Sequence, residues 1–230
     1  QKKTRILKEI QEQLKLPKIP VHIECFDNSN IQGSDAVAAC VVFKMGKPSK
    51  KDYRKFIIKT VEGPDDYASM KEVVRRRYSR VIEENGTLPD LIITDGGKGQ
   101  MEVVREVIED ELHLQIPIAG LAKDGKHRTS EVLYGFPPLS IGIKQGTPLF
   151  HLLENIQNEV HRFAITFHRD KRSKSQIASA LDNIPGIGEK RKNALLKNFR
   201  SVSRIKQATL EEIAAVVGMQ CAKNIKEKLQ

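Results

Sequence analysis

The sequence predicts an α/β domain built on a mixed sheet, followed by a smaller domain that is helical throughout. Three observations predict it. Residues 21–26 and 91–94 are short runs rich in β-branched and aromatic residues, the composition of buried strands, and each delivers one aspartate, Asp27 and Asp95. Strand patterns come first as a series of three and then alternate with helical patterns, the order of a mixed sheet whose parallel connections cross over right-handed. Residues 177–230 carry apolar side chains at helical spacing only.

The elements follow in chain order. Residues 1–17 read as a helix with Ile6, Leu7, Ile10 and Leu14 on one stripe, closed by Pro17 and Pro20. Strands are expected over 21–26, 36–43 and 53–60, with Gly33, Gly46 and Pro48 between them suited to hairpins. Pro64-Asp65-Asp66 opens a helix, because acidic groups complement the positive end of its dipole. That helix runs from about Tyr67 to Glu84 and stops at Asn85-Gly86. Strand 91–94 leads into a helix over 98–110 whose apolar face is Met101, Val104, Val107 and Ile108. A strand over 116–121 makes five, and a small hairpin follows around 131–142. Thr147-Pro148 starts a long helix over 148–168, with Leu152, Leu153, Ile156, Val160, Phe163 and Phe167 as its buried stripe. The Lys/Arg/Ser-rich run 169–176 lacks apolar periodicity and reads as a basic linker. Domains are therefore expected at 1–168 and 177–230.

Composition narrows the class of function. The chain is 39% hydrophobic and 30% charged, and no apolar stretch approaches the roughly 20 residues that span a bilayer. No secretory signal is visible, so a cytoplasmic protein is expected. The three cysteines, Cys25, Cys40 and Cys221, are odd in number and form no C-x-x-C pair, which argues against zinc and disulfides. A net charge of +10 favours polyanions. Basic residues cluster at Arg75-Arg76-Arg77 with Arg80, at Arg169, Lys171, Arg172 and Lys174, and at Lys190-Arg191-Lys192. Solvated helix faces explain any one cluster better than all three. With no Trp and no basic amphipathic helix, nucleic acid is a better partner than a membrane.

Asp27 and Asp95 are the chemical centre of this reading. In α/β sheets, ligands gather beyond the carboxyl ends of strands. Two carboxylates there can share a hard cation, the arrangement of a phosphodiesterase. A single Asp is more often a turn former, but two in the same setting favour a site. Gly96-Gly97 permits a tight turn with no side chain crowding a phosphate. On the long helix, Glu154, Asn158 and His161 share a flank. His161 alone reads more often as a half-buried, hydrogen-bonded residue, and Glu154 is the more usual type of hard-metal ligand. The residues by themselves leave that choice open. Residues 96–100 fit neither G-x-x-x-x-G-K-[ST] nor G-x-G-x-x-G, which argues against ATP and NAD. Lys98 and Arg162 are candidate phosphate holders, as are Arg75, Arg76 and Arg77.

In the helical tail, Pro185-Gly186-Ile187-Gly188 forms a tight turn before Glu189-Lys190. Such a turn leaves backbone N–H groups at a helix start free for a DNA phosphate, with Gly186, Gly188, Lys190 and Arg191 as the binding candidates. A degraded copy, Val217-Gly218-Met219-Gln220, lies between helices expected at 209–215 and 220–229. The pair resembles a tandem helix-hairpin-helix domain, and Gln220 departs from the usual small residue. An ordinary αα-hairpin explains one such turn as well, but two favour backbone binding without base readout.

Several strings together resemble the C-terminal half of the UvrC family, the incising subunits of bacterial excision repair. They are Glu24-Cys25-Phe26-Asp27-Asn28-Ser29, Pro64-Asp65-Asp66-Tyr67, Val73-Val74-Arg75-Arg76-Arg77-Tyr78, Ile93-Thr94-Asp95-Gly96-Gly97-Lys98-Gly99-Gln100 and Asn158-Glu159-Val160-His161-Arg162-Phe163-Ala164. The resemblance implies a ribonuclease H-like endonuclease domain with an Asp-Asp-His triad at Asp27, Asp95 and His161, which prefers His161 to Glu154. It adds Asp66 as a further acidic position linked to incision, although by itself Asp66 reads as a helix N-terminal residue. It also implies incision of damaged double-stranded DNA on the 5′ side of a lesion, in a complex with UvrB and with UvrA upstream. The family's N-terminal nuclease module and UvrB-docking segment find no counterpart in these residues. The expected mechanism is in-line phosphodiester hydrolysis with two Mg²⁺ or Mn²⁺ ions. The rivals are a junction-type nuclease of the same fold and a non-catalytic DNA-binding scaffold.

Overall fold

The computed structural model describes residues 1–29, 37–61, 63, 65–126 and 128–229, without the side chains of Asn28, Ser29, Phe167, His168, Asp170 and Lys171. Gly33 and Pro64, and the side chains of Phe167 and Lys171, therefore lie outside the described residues. The chain divides into two compact units, Gln1–Ala164 and Ile165–Gln230. Each has its own apolar core.

The first unit is a mixed sheet flanked by helices. Its strands are β1 (His22–Ser29), β2 (Val37–Lys44), β3 (Lys47–Pro48), β4 (Arg54–Ile57), β5 (Leu91–Thr94), β6 (Ile118–Lys123), β7 (Thr129–Tyr134) and β8 (Leu139–Ile141). They lie in the order β3-β2-β1-β5-β6-β7-β8, with β4 also on β2. β1 pairs antiparallel with β2 and parallel with β5, and β5 pairs parallel with β6. β1 and β5, the strands that bring in the two aspartates, are therefore neighbours. The expected count of five strands is exceeded: the hairpin after β6 joins the same sheet as β7 and β8, and β3 adds a two-residue edge. Its alternation is short and its turns are Gly/Pro-rich, so the sequence marks a hairpin without showing which edge it extends.

Helices cover the sheet as their periodicities demand. α1 (Lys2–Leu14) buries Leu7, Ile10 and Leu14. α2 (Asp66–Glu83) begins at Asp65, whose carboxylate accepts the N–H of Ala68 at 3.0 Å as an N-cap. α3 (Lys98–Arg105) passes into a π-turn over Glu106–Glu111, and Met101, Val104, Val107 and Ile108 are all fully buried. α4 (Pro148–Ala180) buries Leu152, Leu153, Ile156 and Val160. It does not stop at residue 168. Residues 169–176 lie inside this helix rather than in a linker. The reason is local: the run contains no Gly or Pro, and five of its eight residues are Lys, Arg or Gln, good helix formers whatever their polarity.

In the second unit, the end of α4 is followed by α5 (Glu189–Phe199), α6 (Val202–Gln207), α7 (Leu210–Val217) and α8 (Met219–Leu229). Ile177, Leu181, Leu195, Ile205, Ile213 and Ile225 form its core. Gly186 and Gly218 both adopt positive φ, 82° and 91°, the backbone that turns one helix into the next in each hairpin. Among the described residues no helix is long and apolar enough to cross a membrane.

Candidate active site

The site begins with strand register. Phe26 on β1 lies opposite Thr94 on parallel β5. The next residues, Asp27 still within β1 and Asp95 just past the end of β5, therefore come side by side, which corrects the expectation that Asp27 follows its strand. Strand spacing of about 4.8 Å leaves their carboxylates within reach of one ion. After Asp95 the chain must turn at once into α3. Gly120 on β6 makes room for that turn: a Cβ there would stand 2.8 Å from the Gly96 carbonyl oxygen and 2.6 Å from Met101 Sδ.

α4 then lays His161 across the pair. Its Nδ1 lies 3.2 Å from Asp27 Oδ2 and its Nε2 3.1 Å from Asp95 Oδ2. One ligand atom from each residue falls within 4.8 Å of the other two. Burial is graded: the side chains of Asp95 and Asp27 are 2% and 9% exposed, that of His161 37%. The site is thus closed from below by the sheet and open along the imidazole edge.

Further groups hold Asp95. Gln157, one helical turn before His161, donates Nε2–H to Asp95 Oδ1 at 2.6 Å. Thr129 on β7 donates to the Gln157 Oε1, fixing the amide's orientation. Lys123, at the end of β6, places Nζ 3.0 Å from Asp95 Oδ1. Sequence reasoning missed all three. The one available signal was Gln157, a lone amide on an apolar stripe four residues before His161.

Electrostatics set the two aspartates apart. Burial raises the Asp27 carboxyl above its ordinary value, and the charge of Asp95 pushes the same way against the His161 hydrogen bond. Burial also opposes charge on Asp95, but His161, then Gln157 and Lys123, outweigh it and hold that carboxyl near about 2. Hydrogen bonds to Asp27 and Asp95 lift the His161 imidazole to about 9. The donor set, two carboxylates and an imidazole, suits a hard divalent cation with open positions. The ring lies where positive charge is favoured, so a cation held by this set would take the place of a proton on it.

A family profile described as the UvrC RNAse H endonuclease domain matches residues 11–165. The chain belongs to the UvrC family. A second profile, a SAM-like helix-hairpin-helix tandem, matches residues 178–230. The UvrABC system protein C of Bacteroides thetaiotaomicron is 76% identical over 229 residues, covering 100% of this chain and 38% of its own length. That of Bacteroides fragilis is 74% identical with the same coverage. The chain thus spans 38% of the length of these UvrC relatives. Among solved structures, endonuclease V of Bacillus subtilis overlaps 72% of this chain and 92% of its own at 12% identity and a TM-score of 0.38, too loose a likeness to argue from.

The remaining candidates of this UvrC-family chain are scattered. Glu154 lies 3.4 Å from His151 on α4 and belongs to no metal-ligand cluster among the described residues. Asp66, the first residue of α2, is not within the Asp27–Asp95–His161 cluster. It lines an open cavity of about 570 Å³ with Tyr67, Gly97, Lys98, Gly99 and Gln100. Arg162 makes a bidentate pair with Glu159 at 2.8 and 2.9 Å. The arginine triplet splits three ways: Arg75 to Glu111 at 2.6 Å, Arg76 to Glu72 at 3.0 Å and Arg77 to Glu24 at 2.9 Å. In the second unit, Gly188 caps α5, which starts with Glu189 and Lys190, and Arg191 donates to the Gly186 carbonyl at 2.5 Å.

The Glu24 contact is the largest feature the sequence reading missed. Glu24, 1% exposed, takes a bidentate hydrogen-bond pair from Arg77 at 2.9 Å, another bond from Tyr78 at 2.8 Å and a third from His22 at 2.7 Å. Burial opposes its charge, yet these donors hold its carboxyl near about 2.

Proposed function

We propose that this chain carries the metal-dependent endodeoxyribonuclease activity of its family, making the 5′-side incision near a lesion in nucleotide excision repair. The single observation that carries the reading is the meeting of Asp27, Asp95 and His161 within 4.8 Å, in a chain of the UvrC family. Asp27, Asp95 and His161 would hold Mg²⁺ or Mn²⁺, and two such ions would supply Lewis-acid polarisation of a phosphodiester in line with its attacking and leaving oxygens. The protein's own groups do the rest. Gln157 and Lys123 orient the Asp95 carboxylate, and the sheet excludes water from beneath the pair. Lys98, exposed at the start of α3, and Asp66 border the same strand-end face and are proposed to meet the DNA backbone and to support incision. The helix-hairpin-helix unit, through Gly186, Gly188, Lys190 and Arg191, is proposed to grip phosphates without reading sequence. UvrB on damaged duplex is the proposed partner that selects the site.

The test is a nicking assay on UvrB-loaded damaged duplex with Mn²⁺, comparing the intact chain joined to its family's N-terminal portion with Asp27→Asn, Asp95→Asn and His161→Ala. Loss in all three supports the reading. Undiminished nicking by any of the three refutes the triad, and a four-way junction cut in preference would favour the junction-nuclease reading.

A further inference from the structure

The last residue of β6, Lys123, brings more to Asp95 than orientation requires. Its Nζ lies 3.0 Å from Asp95 Oδ1 and 3.2 Å from Oδ2. That carboxylate is already fixed from other directions. Gln157 donates to Oδ1, His161 Nε2 meets Oδ2, and Thr129 holds the Gln157 amide in place. For taking up a cation, an ammonium at this carboxylate is a liability, because like charges repel. Gln157 supplies its hydrogen bond without that cost, so what Lys123 adds is charge.

Strand geometry gathers Lys123 and Thr129 on one face. β6 and β7 shift register between Ala122 and Lys123, which passes over Ser130 and pairs Lys123 with Thr129. Side chains alternate along a strand, so without the shift Thr129 would turn to the opposite face. Irregularities of this kind re-aim side chains beside active sites.

Exposure then separates the charged groups. The side chains of Asp95 and Asp27 are 2% and 9% exposed, those of His161 and Lys123 37% and 28%. A phosphate entering the site meets the imidazole edge and the ammonium before either carboxylate. Both of those nitrogens lie next to Asp95 Oδ2, so they border one opening. Charge points the same way. With the imidazole neutral, as a metal ligand must be, one divalent cation cancels Asp27 and Asp95. Lys123 then gives the centre net positive charge against a phosphodiester, whose own negative charge grows in the transition state.

We propose that Lys123 is a catalytic residue whose ammonium donates to a non-bridging oxygen of the scissile phosphodiester while staying on Asp95. Two of its N–H groups can serve the carboxylate, which leaves the third for the substrate. Lys123 moves no proton; it stabilises charge. The inference rests on the metal-dependent reading of Asp27, Asp95 and His161 and adds a substrate contact to it.

The test compares Lys123→Gln and Lys123→Arg with the parent in two measurements. The first is Mn²⁺ binding to the 230-residue chain by calorimetry. The second is single-turnover nicking of UvrB-loaded damaged duplex at saturating Mn²⁺, by the chain joined to its family's N-terminal portion. Lys123→Gln should bind Mn²⁺ at least as tightly as the parent, yet nick at least about 100-fold more slowly. Lys123→Arg keeps the charge and should recover part of that rate. A purely orienting role cannot separate binding from rate in this way. If Lys123→Gln binds Mn²⁺ more weakly and saturating Mn²⁺ restores its rate, Lys123 only orients Asp95 and the proposal falls. It falls also if Lys123→Gln nicks as fast as the parent, or if Lys123→Arg is no faster than Lys123→Gln. A parent chain that takes up no Mn²⁺ is a different failure, which refutes the metal reading and takes this inference with it.

Discussion

Two buried carboxylates lie three residues apart on β1 and have opposite fates. Glu24 faces α2 and receives Arg77, Tyr78 and His22, a complete set of donors. Asp27 faces the other side of the strand, where its neighbours are a second carboxylate and one imidazole. A carboxylate whose every lone pair is answered is structural, and nothing further can approach it. A pair held by Lys123 at Asp95 and by one half-buried imidazole between the two still has room for a cation. The difference between the two ends of one strand lies in compensation more than in burial.

Removing compensation at the structural end should have the largest effect. Arg77→Met leaves Glu24 charged and buried, and should cost about 3–5 kcal/mol in urea unfolding. Adding Glu24→Gln should restore much of it. A stable Arg77→Met chain that merely binds DNA less well would break the comparison and return Arg77 to the DNA-binding set. At the other end, Asp95→Asn should lower nicking at least about 100-fold while leaving the melting temperature of the metal-free chain little changed. Gln157→Leu should fall between, weakening Mn²⁺ binding about 10–100-fold in a direct titration without a large loss of stability.

The two ends should also titrate with opposite sign. Glu24 is near about 2 when folded against an ordinary 4.5, so its contribution is complete above that ordinary value and fades as pH falls toward 2. His161 is near about 9 against 6.5, so its contribution is complete below 6.5 and is lost as pH rises through 9. Melting curves across pH in a chelator check both limbs, and His161→Ala should flatten the alkaline one and, by releasing Asp95, weaken the acid one in part. The smallest effect is expected at Arg75, whose exposed pair with Glu111 should change stability by less than about 1 kcal/mol on Arg75→Ala.

The sequence was most readable where a single element decides the outcome. Apolar runs ending on Asp27 and Asp95 marked two neighbouring strands, and helical spacing put His161 on a flank of α4. The choice of His161 over Glu154 came from family resemblance rather than spacing. What stayed hidden needed two elements at once. Arg75, Arg76 and Arg77 look like one basic patch in the sequence, but successive helix residues point about 100° apart. Each therefore met a different acid. Glu24 sat inside an apolar run with nothing to announce that α2 would cover it. Lys123 and Thr129 reach the site from the far strands β6 and β7, whose register no local pattern states. The run 169–176 is polar without being loose: it has no Gly or Pro, and its Lys, Arg and Gln residues favour the helix that it forms.

The parallel pairing of β1 with β5 has a consequence in time as well as space. Asp27 leaves the ribosome long before Asp95 has been made, and His161 follows later still. A partly synthesised or incompletely folded copy therefore presents isolated acids with no cation cradle between them. Whatever this centre does to a nucleic acid, only a finished domain can do it.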